Sequence, residues 1–394
     1  MQMRTYQIIL FLALITLLSC NKDTVYETIP NYPTIAATFT NSIDVANLEN
    51  YANQNIPPYI TKDNGTINPI SDKGATLGRV LFYDTNLSSN NSIACASCHK
   101  QANAFGDNVI VSVGVNGTTG RHSMRLVNAR FSNESKFFWD ERAASLEIQT
   151  TMPIKDHGEM GFSGTNGDLS FNDLIFKLNN IDYYKELFTF VYGSDEITET
   201  KIQNSLAQFI RSIQSFDSKY DAGRALVNND NQPFPNFSQQ ENLGKNLFLT
   251  PPQFDGTGSR IGGGVGCAGC HRAPEFDIDP NSLNNGIIGT VNNIGIDITN
   301  TRAPSLRDLV KQDGTLNTTL MHTGTISSLQ AAIGHYNIIN LATGNTNLDP
   351  KLQPGGNGQQ LNMTGAEMSA LQAFLVTLAG SSIYTDSKWS NPFE

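Results

Sequence analysis

Two copies of Cys-x-x-Cys-His, CASCH at 95–99 and CAGCH at 267–271, constrain this chain more than any other feature. The unit sets two thiols on one short helical turn, spaced to form thioethers to the vinyl groups of a haem. The histidine that follows is brought under the iron as its proximal ligand. The competing readings are zinc or redox Cys-x-x-Cys half-sites. Zinc would need two further Cys or His near each half-site, and a thioredoxin-like pair has no use for a trailing histidine twice. The motifs therefore nominate Cys95, Cys98 and His99, and Cys267, Cys270 and His271, as two covalent haem c sites, with His99 and His271 on the irons.

The cysteine count supports this reading. The chain has five cysteines and the motifs use four. The fifth, Cys20, closes a basic-then-apolar leader made of Arg4, an apolar run over 8–18, and Ser19. That run is too short to span a bilayer as a mature helix. It is similar to a bacterial lipoprotein signal, with cleavage before Cys20 and acylation of its thiol; an ordinary signal peptide with an incidental cysteine is the alternative. No thiol is left for a disulfide. Export agrees with haem attachment, which takes place outside the cytoplasm. The expectation is a periplasm-facing chain held to a membrane through lipidated Cys20, with Asn21 favouring the outer membrane of a Gram-negative envelope.

The 394 residues carry a net charge of −10, which argues against nucleic acid and favours a basic partner such as a small electron carrier. Length suits two domains. The expected division is a signal peptide at 1–19, a tether at 20–60, an N-terminal haem domain at 61–232 and a C-terminal one at 233–394. The join falls where Asn, Pro and Gln cluster, at 228–236. An internal repeat supports two similar halves. Leu77-Gly78-Arg79-Val80-Leu81-Phe82 precedes the first motif and Leu243-Gly244-Lys245-Asn246-Leu247-Phe248 the second. The intervals are 17 residues from Gly78 to Cys95 and 23 from Gly244 to Cys267.

Apolar residues recur at three- and four-residue spacing over 171–192, 198–216 and 364–378, the last behind a capping box at Thr364 and Glu367. Strand signals are short, at 109–115 and 287–298. Plentiful Asn, Gly and Thr predict long loops. The expected fold is mainly α, with two cytochrome-c-like haem domains.

Five further blocks carry a resemblance: FYDTNLSSNNSIACASCH, FFWDERAASLEIQ, MPIKDHGEMG, TRAPSLRDL and LMHTGTISSLQAAIGHYN. From about 70 to 393 the chain resembles the bacterial dihaem cytochrome c peroxidases and their MauG-type relatives. The resemblance implies that the N-terminal haem, under His99, meets peroxide and that the C-terminal haem handles electrons. It implies that Glu159 is the distal acid that moves a proton between the peroxide oxygens. It places Trp139 between the haems, where a plain core tryptophan is the bland alternative. Gln149 and Pro153 then shape the distal pocket, and His322 hydrogen-bonds a propionate. His157 reads as a surface loop residue.

Two departures from the peroxidase pattern matter. A histidine that caps the N-terminal iron in peroxidase members is matched here by Val115, which cannot ligate. His122, seven residues on, is the alternative ligand; otherwise it replaces an asparagine of the family's inter-domain calcium site, leaving calcium in doubt despite carbonyls near Asn317 and Thr319. The sixth ligand of the C-terminal iron, methionine in those members, aligns with Tyr336, as in MauG-type proteins. His335 and Met321 are the competitors, and adjacent helical residues cannot both face one iron.

The resemblance thus implies a peroxidase reducing hydrogen peroxide with electrons from a small c-type cytochrome or a cupredoxin. The rival is a MauG-type oxidase acting on a protein or other substrate through a high-valent iron state. A non-catalytic dihaem electron-transfer cytochrome is the reading from another class. A second copy of the chain, as a homodimer, completes the expected partners.

Overall fold

A computed structural model describes residues 31–133, 136–278 and 280–394, so the leader and Cys20 lie outside the described residues. The helices are α1 (Pro33–Thr38), α2 (Asp72–Tyr83), α3 (Cys95–Cys98), α4 (Leu146–Thr151), α5 (Phe171–Asn179), α6 (Asp182–Tyr192), α7 (Glu199–Ser212), α8 (Lys219–Arg224), α9 (Gln239–Leu249), α10 (Leu329–Asn337) and α11 (Gly365–Val376). The described residues also hold two short antiparallel pairs, β1 (Pro252–Phe254) with β2 (Arg260–Gly263) and β3 (His271–Arg272) with β4 (Asp277–Ile278), and several 3-10 turns, one of them at Cys267–Gly269. The fold is mainly α, as expected. No helix among the described residues is long and apolar enough to cross a membrane.

Local chemistry sets the ends. Most helices open on a Ser or Thr that accepts a backbone N–H of the first turn, including Ser71 for α2, Thr198 for α7 and Ser238 for α9. The capping box at Thr364 and Glu367 starts α11. The run over 171–192 is two helices rather than one. Asn179 and Asn180 turn their amides back onto the Ile175 and Phe176 carbonyls, which ends α5, and Asp182 opens α6. The segments 109–115 and 287–298 are loops, not strands. Their apolar residues point outward, with Val113 68% and Ile294 76% exposed, so no partner face exists to pair with them.

The internal repeat is one packing unit used twice. In α2, a methyl on Gly78 would lie 2.0 Å from the Ser205 carbonyl oxygen and 2.7 Å from Phe209 Cβ, both on α7. In α9, a methyl on Gly244 would lie 1.9 Å from the Ala370 carbonyl oxygen and 2.8 Å from Phe374 Cβ, both on α11. Each glycine lets two helices touch at the backbone, and a phenylalanine one turn further along the partner closes the crossing. Alanine would gain about 1 kcal/mol of helix propensity. It would meet rigid backbone well inside contact distance, and overpacking of this kind costs about 1–3 kcal/mol. Gly78→Ala and Gly244→Ala should therefore each lower the urea midpoint of unfolding; an unchanged midpoint in either would mean the crossing can open without cost.

Among the described residues two large apolar cores form, one from Ile35 to Ile213 with Ile383 and Trp389, the other from Tyr220 to Leu378, beside a small cluster of Ile339, Leu348 and Leu352. The change from one core to the other falls between Ile213 and Tyr220, and Tyr220, Phe234 and Phe237 all pack into the second. Within the expected tether, Ile35, Phe39 and Tyr51 are fully buried in the first core. The last residues also return to that core. Arg79 Nε donates to the Ser390 carbonyl at 2.7 Å, Tyr83 Oη to that of Trp389 at 2.6 Å, and Trp389 Nε1 to Ser212 Oγ at 3.2 Å.

A buried ion pair sits in the second half, beside its seam with the first. Arg307 donates from Nη1 to both oxygens of Asp221, at 2.9 and 2.8 Å, and from Nη2 to the Pro274 carbonyl at 2.8 Å. Its guanidinium lies over Phe216, Tyr220 and Phe276. Tyr59, from the first half, donates to Asp221 Oδ1 at 2.8 Å.

Candidate functional site

Each Cys-x-x-Cys-His motif borders a cavity of about 590 Å³, within the range of cofactor pockets. His99, Trp139 and Glu159 line the first. A side chamber is walled by Cys95, Cys98, His99, Phe82, Val113 and Glu159. His99 Nδ1 donates to the Phe105 carbonyl at 3.1 Å. That bond fixes the tautomer and leaves Nε2 as the free donor atom for a metal. Phe105 and the preceding Ala104 are held at φ 59° and 53°, a conformation costly for residues with a Cβ, and this turn aims the carbonyl under the ring.

Burial pushes the Cys95 and Cys267 thiols up to about 12 and the Cys98 thiol to about 11. Reactive redox cysteines have the opposite shift. No group of three or more His, Cys, Asp or Glu that could hold a metal ion occurs among the described residues. Apolar walls, paired thiols and an oriented imidazole fit covalent haem, and zinc finds no second pair of ligands.

Glu159 sits in the loop after α4. Its backbone N–H, with that of Gly158, is caught by Asp156 Oδ1 at 2.9 and 2.8 Å. Val115 N–H donates to the Glu159 carbonyl at 2.9 Å and Asn116 N–H to that of Gly158 at 3.2 Å. A methyl on Gly114 would lie 2.1 Å from the Gly158 carbonyl oxygen, so only glycine lets this loop lie on the Glu159 backbone. The segment expected to carry a capping ligand thus braces the distal acid. Burial, with the neighbouring charge of Asp156, pushes the Glu159 carboxyl up to about 7, against a smaller pull from Arg142. Gln149 and Pro153 line the same walls.

The second cavity is bordered by Cys267, Cys270 and His271. Burial and the nearby Arg125 drive His271 down to about 4, with the Pro304 carbonyl opposing. Across the cavity, α10 presents Leu329, Ala332, Ile333 and Tyr336, the i, i+3, i+4, i+7 face of one helix. His335 falls off that face, its Nε2 donating to the Asn285 carbonyl at 2.9 Å. Asn285 Nδ2 reaches both Tyr336 Oη at 3.2 Å and Met321 Sδ at 3.1 Å. Two of the three candidate sixth ligands therefore converge on one amide in the cavity, and the third points away.

Trp139 lines both cavities, as do His122, Arg125 and Arg302. Its indole N–H donates to the His122 carbonyl at 2.7 Å, and its own carbonyl accepts from Arg302 N–H at 3.0 Å. The His322 ring packs edge-on at 6.2 Å. Phe138 at φ 73° and Glu141 at φ 54° flank it in the left-handed region, so strain is stored where the indole is aimed.

The remaining histidines bond within the protein, His122 through Nδ1 alone, its Nε2 being buried without a partner beside both cavities. His122 Nδ1 faces the carbonyls of Val109 at 2.9 Å and Ile110 at 3.2 Å, with Thr319 Oγ1 at 3.4 Å. Its imidazole N–H thus occupies oxygens of the region where calcium was in doubt, and Asn317 spends its amide on the Asp308 carbonyl and Tyr384 Oη. Both nitrogens of His322 are engaged, by Asn300 Nδ2 at 2.7 Å and the Gly289 carbonyl at 2.9 Å. A propionate bond there requires one of these to open. His157 pairs with Asp168 on the surface at 2.9 Å. Sequence reasoning did not find Asn285, Arg125, Arg302 or Gly114; of these only Gly114, within a Gly-rich loop, left a local signal.

Comparison with known proteins agrees with this geometry. A family model described as di-haem cytochrome c peroxidase matches residues 72–230. The methylamine utilization protein MauG of Methylophilus methylotrophus is 27% identical over 324 residues, covering 80% of this chain and 85% of that protein. Cytochrome c551 peroxidase of Nitrosomonas europaea is 31% identical over 209 residues, 53% of this chain and 54% of its own. Among solved structures, a MauG-like protein associated with microbial copper homeostasis superposes with a TM-score of 0.64 at 24% identity, covering 87% of this chain and 99% of that one. Fold and site define a two-haem c-type oxidoreductase. Residues 72–230 match the di-haem cytochrome c peroxidase family and the chain is similar to a MauG protein over 80% of its length, and that family implies two c-type haems here. Its relatives include both kinds of enzyme.

Proposed function

We propose that this chain is a dihaem peroxidase that reduces hydrogen peroxide in the cavity of His99, with electrons delivered by a small c-type cytochrome or cupredoxin through the second cavity. The observation that carries this reading is Glu159: a carboxyl with its pKa raised to about 7 facing the same cavity as an oriented imidazole. Haem iron, when bound, supplies the electrophilic centre at which the O–O bond is broken. The protein's part is proton control. As a carboxylate, Glu159 takes the proton from the inner oxygen of an entering peroxide and returns it to the outer oxygen, which leaves as water. Asp156 and the Gly114 loop hold its backbone while this happens. Trp139, fixed between the cavities, shortens the electron path. Tethering through Cys20 on the outer side of a membrane completes the proposal.

The pH dependence tests it. A base with a raised pKa is competent only above that value, so the rate of reaction with peroxide should climb as pH passes about 7 and level off beyond. With Val115 in place of a capping ligand, the fully oxidised protein should also react without prior reduction. A flat pH profile, or two blocked irons in the resting spectrum, would remove the basis of the reading.

Tyr336 favours a second reading, a MauG-type oxidase. An anionic oxygen ligand would lower the potential of the C-terminal haem, whereas a thioether would raise it. Tyr336→Met should then raise that potential and speed turnover with reduced cytochrome c, while His335→Ala, off the cavity face, should do neither. Loss of low-spin character in His335→Ala with none in Tyr336→Phe would reverse the ligand assignment.

A further inference from the structure

Tyr184 and Tyr183, at the start of α6, both donate to the same oxygen, Asp84 Oδ2, each at 2.7 Å. Their rings lie 4.7 Å apart, inclined at 45°. Tyr184 is 0% exposed and Asp84 3%. The other carboxylate oxygen, Oδ1, is filled by the backbone and side-chain N–H groups of Asn86, at 2.8 and 2.9 Å, and caps the turn that follows α2. Structure alone therefore uses one oxygen of Asp84, and two phenols share the other.

The place of this cluster matters. Asp84 ends α2, two residues after Phe82, which walls the chamber of Cys95 and His99. Cys95 packs on the core that contains Tyr184. Tyr183 leads outward: it is half-buried and packs edge-on against Phe39 and against Phe393, which is 40% exposed. Trp139 borders the large cavity but not this chamber.

We propose that Tyr184, Asp84 and Tyr183 form a redox relay that carries oxidising equivalents from the chamber of His99 to the surface at Tyr183. The relay rests on the peroxide chemistry proposed above. Oxidising a phenol in an apolar core needs a base within about 3 Å to take the proton that the oxidised ring releases, and Asp84 is so placed. Tyr184 gives one electron to an oxidising equivalent left by peroxide; its O–H bond breaks and the proton passes to Asp84 Oδ2. Tyr183 then gives one electron to the Tyr184 radical. Asp84 returns its proton to Tyr184 and takes the one released by Tyr183. A one-electron phenolic donor at the surface reduces Tyr183, which recovers its proton from Asp84, and the donor's own proton goes to solvent.

The test uses the haem-loaded protein mixed with one equivalent of peroxide without donor, freeze-quenched, and read by electron paramagnetic resonance, with peroxide consumption followed in the same samples. A radical signal that narrows when ring-deuterated tyrosine is incorporated is expected. In Tyr184→Phe its rate of formation should fall about 100-fold, the lower end of what a positioned proton acceptor contributes, while peroxide is still consumed. Tyr183→Phe should keep the radical but stop hydroquinone from quenching it. Asp84→Asn should match Tyr184→Phe; if it fails to fold, slowing of radical formation in deuterated solvent serves in its place. Peroxide consumption with no tyrosine signal, or an undiminished signal in Tyr184→Phe, overturns the relay alone. Failure to consume peroxide overturns the relay together with the peroxidase reading.

Discussion

Glu159→Gln should keep both haems and the fold yet lose most reactivity with peroxide, by about 10²–10⁴-fold, the range that a positioned acid–base group supplies. Glutamine preserves the shape of the side chain and removes only its ability to carry a proton, so the loss reports proton transfer rather than packing. The same variant has a signature in stability. The Glu159 carboxyl is raised from 4.5 to about 7 by burial and by Asp156. Between those values the folded chain holds a proton that the unfolded chain has released, so raising the pH across that window costs stability. Glutamine should remove this slope. Stopped-flow mixing with peroxide gives the first readout and urea unfolding at several pH values the second; a loss under about threefold would assign the proton to another group.

Asp221→Asn should be the most destabilising conservative change in the molecule. It leaves the Arg307 guanidinium charged, fully buried and facing a neutral amide, and breaking a buried pair from one side costs about 3–5 kcal/mol. Three aromatic faces around Arg307 soften the loss but cannot replace an anion. Removing both charges is a different matter, because apolar groups of similar volume often match a buried pair. Asp221→Asn with Arg307→Met should therefore be more stable than the sum of the two single changes. Urea unfolding of the four proteins in that cycle measures the coupling, and strict additivity would show that the two charges do not act as a pair.

What could be read from the sequence was what is written locally. The haem motifs, the paired Gly78 and Gly244 and the capping box at Thr364 are short patterns with one physical meaning each. The phase of α10 was legible for the same reason: helical geometry alone separates Tyr336 from His335, and the cavity lies on the side of Tyr336. Long-range packing was not legible. Nothing near Asp221 announces Arg307, and the Asn-, Pro- and Gln-bearing stretch at 228–236 looks like a linker although Tyr220 and Phe234, on either side of its start, share one core. The loop 112–116 was read for a missing ligand; its role as a brace for Glu159 depends on a contact 41 residues away between Asn116 Nδ2 and the His157 carbonyl, and on the lack of a methyl at Gly114.

The returning tail makes the two halves unequal as building blocks. Trp389 and Ile383 lie in the core that begins at Ile35, so the first half is not closed until the last residues have been made. In a chain that emerges from its amino end, Arg79, Tyr83 and Ser212 stay without these partners until Trp389 and Ser390 emerge. The second core, wholly inside Tyr220–Leu378, has no such wait. Exchange of halves between relatives would accordingly succeed only when the graft takes the final residues along with the N-terminal half, so the natural unit of inheritance here is a discontinuous one.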